Sequence, residues 1–237
     1  MSGRVVAGPR GSLGSERRFP VVPTRGEIAR TYDAIAEEFD AARTRPWPET
    51  LTFEVLLPRG SQVLDLACGN GRNLAALRGL GHVVVGLDAS SSLLARAAAK
   101  VGIGSLVLGD VVSLPFRSFS FDAVHCVAAI HHLPSEGERV ECLREAVRVL
   151  RPGGLLLVSA WALEQERFHS VIEEHTRKGD AAPVDVTVPW RRSDGRVFSR
   201  FYHLFRAVEL ENLVSRAGLA VERMWREGDN HVVVARR

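Results

Sequence analysis

The sequence predicts an α/β fold: a seven-stranded, mostly parallel sheet, doubly wound with helices on both faces and closed by an antiparallel hairpin. Three observations carry that expectation. Five apolar runs of strand length recur through the middle of the chain, at 62–68, 83–89, 105–110, 121–129 and 154–161. Helical stretches alternate with the early ones, at 72–80 and 92–100, and a longer one at 136–150 precedes the fifth run. Two further runs, 219–227 and 230–237, flank a tight Gly228-Asp229 turn. Continuous apolar runs suit parallel strands buried on both faces. Their alternation with helices specifies a doubly wound sheet, and the last two runs read as a hairpin.

The remaining elements follow in order. Residues 1–25 are rich in Arg, Gly, Ser and Pro with one acid, Glu16, and are expected to form a flexible tail. An Arg-rich, acid-poor start also fits an organellar transit segment. From residue 26 one domain is expected to run to residue 237, with 163–205 as a substrate-side insertion. Ile28, Tyr32, Ile35, Ala36 and Phe39 recur at helical spacing, so 26–42 is expected to be a helix. A short helix is expected after Trp47-Pro48. Pro152, Gly153 and Gly154 are expected to stop the helix at 136–150.

Composition narrows the class. At 237 residues and 46% hydrophobic, the chain can bury one α/β core. No apolar run reaches membrane-spanning length, so no membrane partner is expected. Cys68, Cys126 and Cys142 show no CxxC spacing, which argues for reduced thiols and a cytoplasmic setting. No Cys or His pair stands at metal-ligand spacing, so no metal is expected. Of 31 basic residues only Lys100 and Lys178 are lysines. Arginine forks suit carboxylate and phosphate recognition, although a GC-rich genome produces the same bias.

The chemistry concentrates at strand ends. Asp65-Leu66-Ala67-Cys68-Gly69-Asn70-Gly71 is a strand running into a glycine turn before a helix. Gly69 and Gly71 permit positive φ and close approach of a ligand. Leu74 stands where a third glycine would complete GxGxxG, which disfavours a pyrophosphate site. Asp65 is expected to organise the loop and attract a cationic ligand end. Asp88, at the end of the second strand, is placed to accept from ribose hydroxyls. Asp110, at the end of the third, is placed to accept from an adenine amino group, with Val111 against the ring. Each acid alone also fits a helix cap; three at successive strand ends define one ligand edge.

These residues, across 26–237, resemble the class I S-adenosylmethionine-dependent methyltransferases, a Rossmann-like family. A narrower resemblance rests on Thr31-Tyr32-Asp33-x-Ile35-Ala36, Arg43-x-x-Pro46-Trp47-Pro48, Ile130-His131-His132, Trp161-Ala162-Leu163-Glu164-Gln165-Glu166, Val188-Pro189-Trp190, Arg200-Phe201-Tyr202-His203-Leu204-Phe205 and Asp229-Asn230. Those elements look like the tRNA wobble-uridine carboxymethyl methyltransferases, which include the methyltransferase domain of the AlkB-homologue proteins. The chain departs from that pattern at His231 and Val232, where aromatics are frequent, and in a short segment between Trp190 and Phe201.

The resemblance implies S-adenosylmethionine as cofactor and the carboxylate of 5-carboxymethyluridine, in a tRNA anticodon loop, as methyl acceptor. It implies a cofactor set of Tyr32, Asp65, Ala67, Gly69, Asn70 and Gly71, continued by Asp88, Ala89, Asp110, Val111, Ala128 and His131. Arg43, His132 and Arg200 are the expected catalytic residues, the arginines steering the carboxylate or a nearby phosphate. Trp161, Trp190, Tyr202, His203 and Asn230 are the expected substrate contacts, with Phe201 beside them in an aromatic platform for an extruded base. Arg191, Arg192, Arg196 and Arg200 are an expected backbone track. A small zinc-binding activator protein is an expected partner, docking at the sheet edge near the third strand. Two alternatives stand beside this reading: a methyltransferase for a small carboxylic acid or quinone precursor, and a non-catalytic cofactor-binding regulator. The WALEQE and YHLF elements argue against the first, and the three strand-end acids against the second.

Overall fold

The structure, a computed structural model, describes residues 22–177 and 184–237. Residues 1–21 of the expected tail, and 178–183 of the expected insertion, lie outside the described residues. Helix α1 (Arg25–Ala42) opens on a capping box in which Thr24 and Glu27 bond each other's backbone N–H. Arg25 is therefore helical, one residue earlier than the sequence pattern suggests. Helix α2 (Pro48–Glu54) starts on its proline.

The chain then winds β1 (Gln62–Leu66), α3 (Arg72–Gly79), β2 (Val83–Asp88), α4 (Ser91–Val101), β3 (Leu106–Leu108), β4 (Phe121–Val127), α5 (Glu136–Val149) and β5 (Leu150–Trp161). After α6 (His169–Arg177) come β6 (Asp185–Arg191), β7 (Val197–His203), α7 (Ala207–Arg216), β8 (Ala220–Glu227) and β9 (Asn230–Arg236). The main sheet has seven strands in the order β3-β2-β1-β4-β5-β9-β8. β9 runs antiparallel to both β5 and β8, and the other pairs are parallel.

Period-two alternation sends successive side chains to opposite faces. Val124 and Cys126 of β4, Leu156 and Val158 of β5, and Val233 of β9 pack on one face with Leu143 of α5 and Leu210 of α7. Ala123 and Val127, Leu155 and Leu157, and Val232 pack on the other with Phe53 of α2, Leu74 of α3 and Leu94 of α4. The strand order reverses direction at β1, between β2 and β4. A crevice opens at the carboxyl ends of the strands beside such a reversal.

Two details differ from the sequence pattern. Pro152-Gly153-Gly154 does not separate helix from strand: α5 ends at Val149, and Leu150 already pairs with Phe121. The ladder resumes at Ala123 and Leu155, so the intervening residues loop out inside β5. Proline has no N–H for a ladder, and Gly153 takes φ +78° in the bulge. The second difference is the β6–β7 hairpin, a separate two-stranded sheet that no sequence run announced.

That hairpin is fastened to α1 through one carboxylate. Glu38 accepts from the Ser193 N–H at 2.9 Å, the Ser193 hydroxyl at 2.7 Å and the Trp190 indole at 3.3 Å. Arg192 adds a bond to the Ala34 carbonyl at 2.8 Å. Helix α1 and the hairpin thus form one roof over the carboxyl edge of the sheet.

Candidate active site

The crevice is a cleft of about 840 Å³ lined by α1 and by the turns after β1, β2, β3 and β4. The backbone at its mouth is strained. Ala67 and Ala128, at the ends of neighbouring β1 and β4, both take the left-handed conformation, with φ of 54° and 53°. Non-glycine residues held there cluster at ligand sites. Gly69 has φ +55°, and a Cβ on it would meet nothing closer than Phe39 at 3.9 Å, so its open face looks into the cleft. Gly71 has a different reason to be glycine: a Cβ there would stand 2.8 Å from that of Ala97 on α4. It serves helix packing and does not line the cleft.

Asp88 reaches the cleft from the end of β2. Its carboxylate accepts from the Gly69 N–H at 2.7 Å and the Ser90 N–H at 2.8 Å. Burial pushes it up to about 6, against those two backbone donors, which favour the ionised form. Ala89 and Val111 line the same wall. Asp110 is there too, but α1 already engages it: Arg25 Nε donates to Oδ2 at 2.7 Å and also pairs with Glu138. Arg25, assigned to the tail by sequence, is a cleft residue that closes the β3 side of the cleft. Cys126 and Cys142, both buried free thiols, form part of the floor.

Asp65 is not in the cleft. It is buried beneath the glycine turn, where Oδ1 accepts from His125 Nδ1–H at 2.8 Å, and His125 Nε2 meets the Thr50 hydroxyl at 2.9 Å. Its role here is to hold the loop's base. Asn70 is a strut as well as a lining residue: its amide bonds Asp40 at 2.7 Å and the Arg43 carbonyl at 2.8 Å, which fixes the end of α1.

The cleft continues inward to a second chamber shared by Tyr32, Ala67, Gly69, Ala128 and His132. His132 Nδ1–H donates to the Phe201 carbonyl at 2.8 Å. Nε2 is then the acceptor, and the Tyr32 hydroxyl donates to it at 2.8 Å. Burial lowers His132 to about 4, helped by Arg200, and raises Tyr32 well above its ordinary range, so both are neutral at neutral pH. His131 accepts from the Trp161 N–H through Nδ1 at 3.0 Å, which leaves its proton on Nε2. Burial and its neighbours His132, His203 and Arg200 likewise keep it uncharged.

Three guanidinium groups line this chamber: Arg43, Arg72 and Arg200. Arg200 is buried between the Trp190 ring at 4.9 Å and the Tyr202 ring at 5.4 Å, and donates Nη1 to the Tyr202 oxygen at 2.8 Å. Its Nε has no partner, and no carboxylate among the described residues pairs with it. Arg43 is exposed at the chamber's rim and also has no acidic partner among the described residues. A buried cation without a counter-ion is costly, so this chamber is built for an anion.

The five expected substrate contacts fall elsewhere or differ in detail. His203 is held by Asp185 at 2.7 Å and Glu209 at 2.7 Å, tying β7 to β6 and α7. Asn230 is buried in the sheet, its amide on Glu49 at 3.0 Å. Trp190 packs behind Arg200 on Phe39, 6.0 Å between ring centres, and supports the site without lining it. Trp161 and Tyr202 do face the chamber, but they stack on each other at 4.0 Å, and the guanidinium groups of Arg167 and Arg200 lie over these rings at 4.9 and 5.4 Å, so neither ring offers a bare face to a base. Phe201 lies at a third hollow between α1 and the hairpin. The arginine track is reduced: Arg196 is paired with Asp194, and Arg192 with Glu38 and Asp194. Within WALEQE, Gln165 bonds the Ala162 carbonyl at 3.0 Å and Glu164 bonds His231 at 2.9 Å, so that motif fastens the end of β5.

Sequence reasoning missed Arg25, Phe39 and Arg72 as site residues. Phe39 shares the helical stripe with Tyr32, and Arg72 directly follows the glycine turn, so their positions were visible. Their orientation was not.

Residues 64–158 match the family model described as a methyltransferase domain. A tRNA (carboxymethyluridine(34)-5-O)-methyltransferase of Schizosaccharomyces pombe is 31% identical over 231 residues, covering 89% of this chain and 96% of that protein. The corresponding protein of Xenopus tropicalis is 30% identical over 258 residues, covering 89% of this chain; the match spans only 40% of that longer relative. The fold is also that of a putative methyltransferase solved in complex with the Haloferax volcanii Trm112 methyltransferase activator: TM-score 0.62, 20% identity, 88% of this chain and 96% of that one. Solved S-adenosylmethionine-dependent methyltransferases share it as well. The cleft fits that cofactor: a buried carboxylate for a ribose, strained alanines at its mouth and an acid-free, arginine-lined inner chamber. The protein is an S-adenosylmethionine-dependent methyltransferase, and the chain belongs to the tRNA (carboxymethyluridine(34)-5-O)-methyltransferase family.

Proposed function

We propose that this protein methylates the carboxylate of 5-carboxymethyluridine at the tRNA wobble position, giving the methyl ester. The observation that carries the reading is Arg200, a buried guanidinium with an unpartnered Nε, facing a chamber that opens from the adenosine cleft. S-adenosylmethionine supplies a methyl group on a sulfonium centre. The acceptor carboxyl has a pKa near ~4 and is already ionised at neutral pH, so no general base is required. The residues agree. Neutral His132 spends its lone pair on Tyr32, and neither histidine has a carboxylate partner that would raise its basicity. What the chain supplies is orientation and exclusion of water. Arg200 fixes the anion, the Tyr32–His132–Phe201 bonds lock roof to floor, and the Trp161–Tyr202 stack walls the chamber. Orientation of this kind is worth roughly 7–11 kcal/mol of barrier.

A tRNA anticodon loop as substrate and a small activator subunit as partner are part of the proposal. The exposed edge at β3, with Leu108 at its end and Ile103 before it, is the surface that an activator would cover. The test is transfer of labelled methyl from S-adenosylmethionine to tRNA bearing 5-carboxymethyluridine, with and without an added activator. Base-labile label in the wobble nucleoside supports the reading. Label that enters free small carboxylic acids and not this tRNA overturns it.

A further inference from the structure

Arg72 begins α3 directly after the glycine turn and lines the inner chamber beside Arg43. Three effects oppose a cation in that place. It is half-buried, Arg43 repels it, and the amino end of a helix is itself positive. Burial first and Arg43 second lower it to about 10. Asp65 and Glu49 attract it only from a distance, and it has no hydrogen bond or ion pair among the described residues. Yet it is held: its guanidinium lies 4.9 Å over the Trp47 ring, and the Trp47 N–H is fixed by Asn73 Oδ1 at 3.0 Å, one residue along the same helix.

A half-buried cation, positioned and unpaired, marks an anion site distinct from that of Arg200. Arg200 belongs to the lid hairpin and sits between Trp190 and Tyr202. Arg72 belongs to the floor, next to the turn whose Gly69 lines both parts of the cleft. A cofactor whose ribose is at Asp88 extends past Gly69 into the chamber, where its amino-acid tail brings one carboxylate. A polymer phosphate arrives at the rim, where Arg43 is exposed. We propose that Arg72, with Arg43 beside it, binds the α-carboxylate of the cofactor's methionine tail, leaving Arg200 free for the acceptor.

The experiment compares two ligands by calorimetry, without tRNA. S-adenosylhomocysteine has the amino-acid tail, and 5′-methylthioadenosine has the same adenosine and thioether but no carboxylate. Arg72→Gln is expected to weaken S-adenosylhomocysteine by roughly ten- to a hundredfold, the loss of one charge-assisted contact. It is expected to leave 5′-methylthioadenosine within about twofold, and the unliganded variant is expected to melt no lower than the native protein, because a repulsion has been removed. Arg72→Lys is expected to recover part of the loss. An equal loss for both ligands overturns the proposal and makes Arg72 a structural residue. Unchanged affinity for both also overturns it, and a separate tRNA-binding measurement on the same variant then tells whether Arg72 serves an RNA phosphate. Because no acceptor is present, either result is independent of which molecule is methylated.

Discussion

With the cofactor's ribose on Asp88, as proposed, that residue couples cofactor binding to pH. Its carboxylate is raised to about 6 by burial in the unliganded protein. Ribose hydroxyls donate to the ionised form, so the ligand binds that form better. Affinity for S-adenosylhomocysteine is therefore expected to be level above pH 7 and to fall by up to about tenfold per pH unit below 6. Asp88→Asn is expected to bind weakly at every pH and to lose the dependence; calorimetry between pH 5 and 8 checks both. The histidines add an acid limit on stability. His132 is depressed to about 4, so its contribution is intact above the ordinary histidine range and is lost as pH falls towards 4. Arg200→Ala is expected to lower kcat/KM for the RNA acceptor by roughly a hundred- to a thousandfold, about 3–4 kcal/mol, with cofactor affinity within about twofold. Steady-state kinetics with the native tRNA decide it, and an equal loss of cofactor binding contradicts the separation of the two arginine sites.

Elements place these residues more than local sequence does. The β1–α3 turn works because Gly71 lets α3 approach α4: φ is +75°, and a Cβ would stand 2.8 Å from Ala97. Gly71→Ala combines backbone strain with overpacking and is expected to cost about 2–4 kcal/mol, read by denaturant unfolding. The roof depends on Glu38, which binds the hairpin through Ser193, Trp190 and Arg192. Glu38→Ala is expected to leave the global melting temperature nearly unchanged and to speed amide exchange across 190–199. Uniform protection in that variant would show that the hairpin is held by packing instead. The same elements explain what the sequence concealed. Asp65, His203 and Asn230 stand at strand ends or in family-like motifs, where a ligand role is a fair expectation. Whether a strand-end side chain turns to the cleft or to a buried partner depends on pairing across the sheet, and His125, Asp185 and Glu49 are 60, 18 and 181 residues away.

At the scale of the whole molecule, the sheet was legible because parallel strands buried on two faces leave long apolar runs, and because the last hairpin has a Gly-Asp turn. The lid was less so. Its first strand, β6, is half-exposed, and Val186, Val188 and Trp190 alternate with Asp185, Thr187 and Pro189, a period-two signal diluted by the proline. Arg25 was obscured for the opposite reason: it continues the arginine-rich composition of the residues before it, and only its reach to Asp110 and Glu138 reveals it as part of the roof. The resulting molecule divides labour between its halves. On the proposed reading, the β1–β3 side holds adenosine, and the β4–β7 side with its lid receives the acceptor. The most direct check is a crystal structure with S-adenosylhomocysteine and an anticodon stem-loop bearing 5-carboxymethyluridine. The ribose hydroxyls are predicted on Asp88 and the uridine carboxylate on Arg200. A carboxylate bound away from Arg200, or a ribose away from Asp88, would contradict the account.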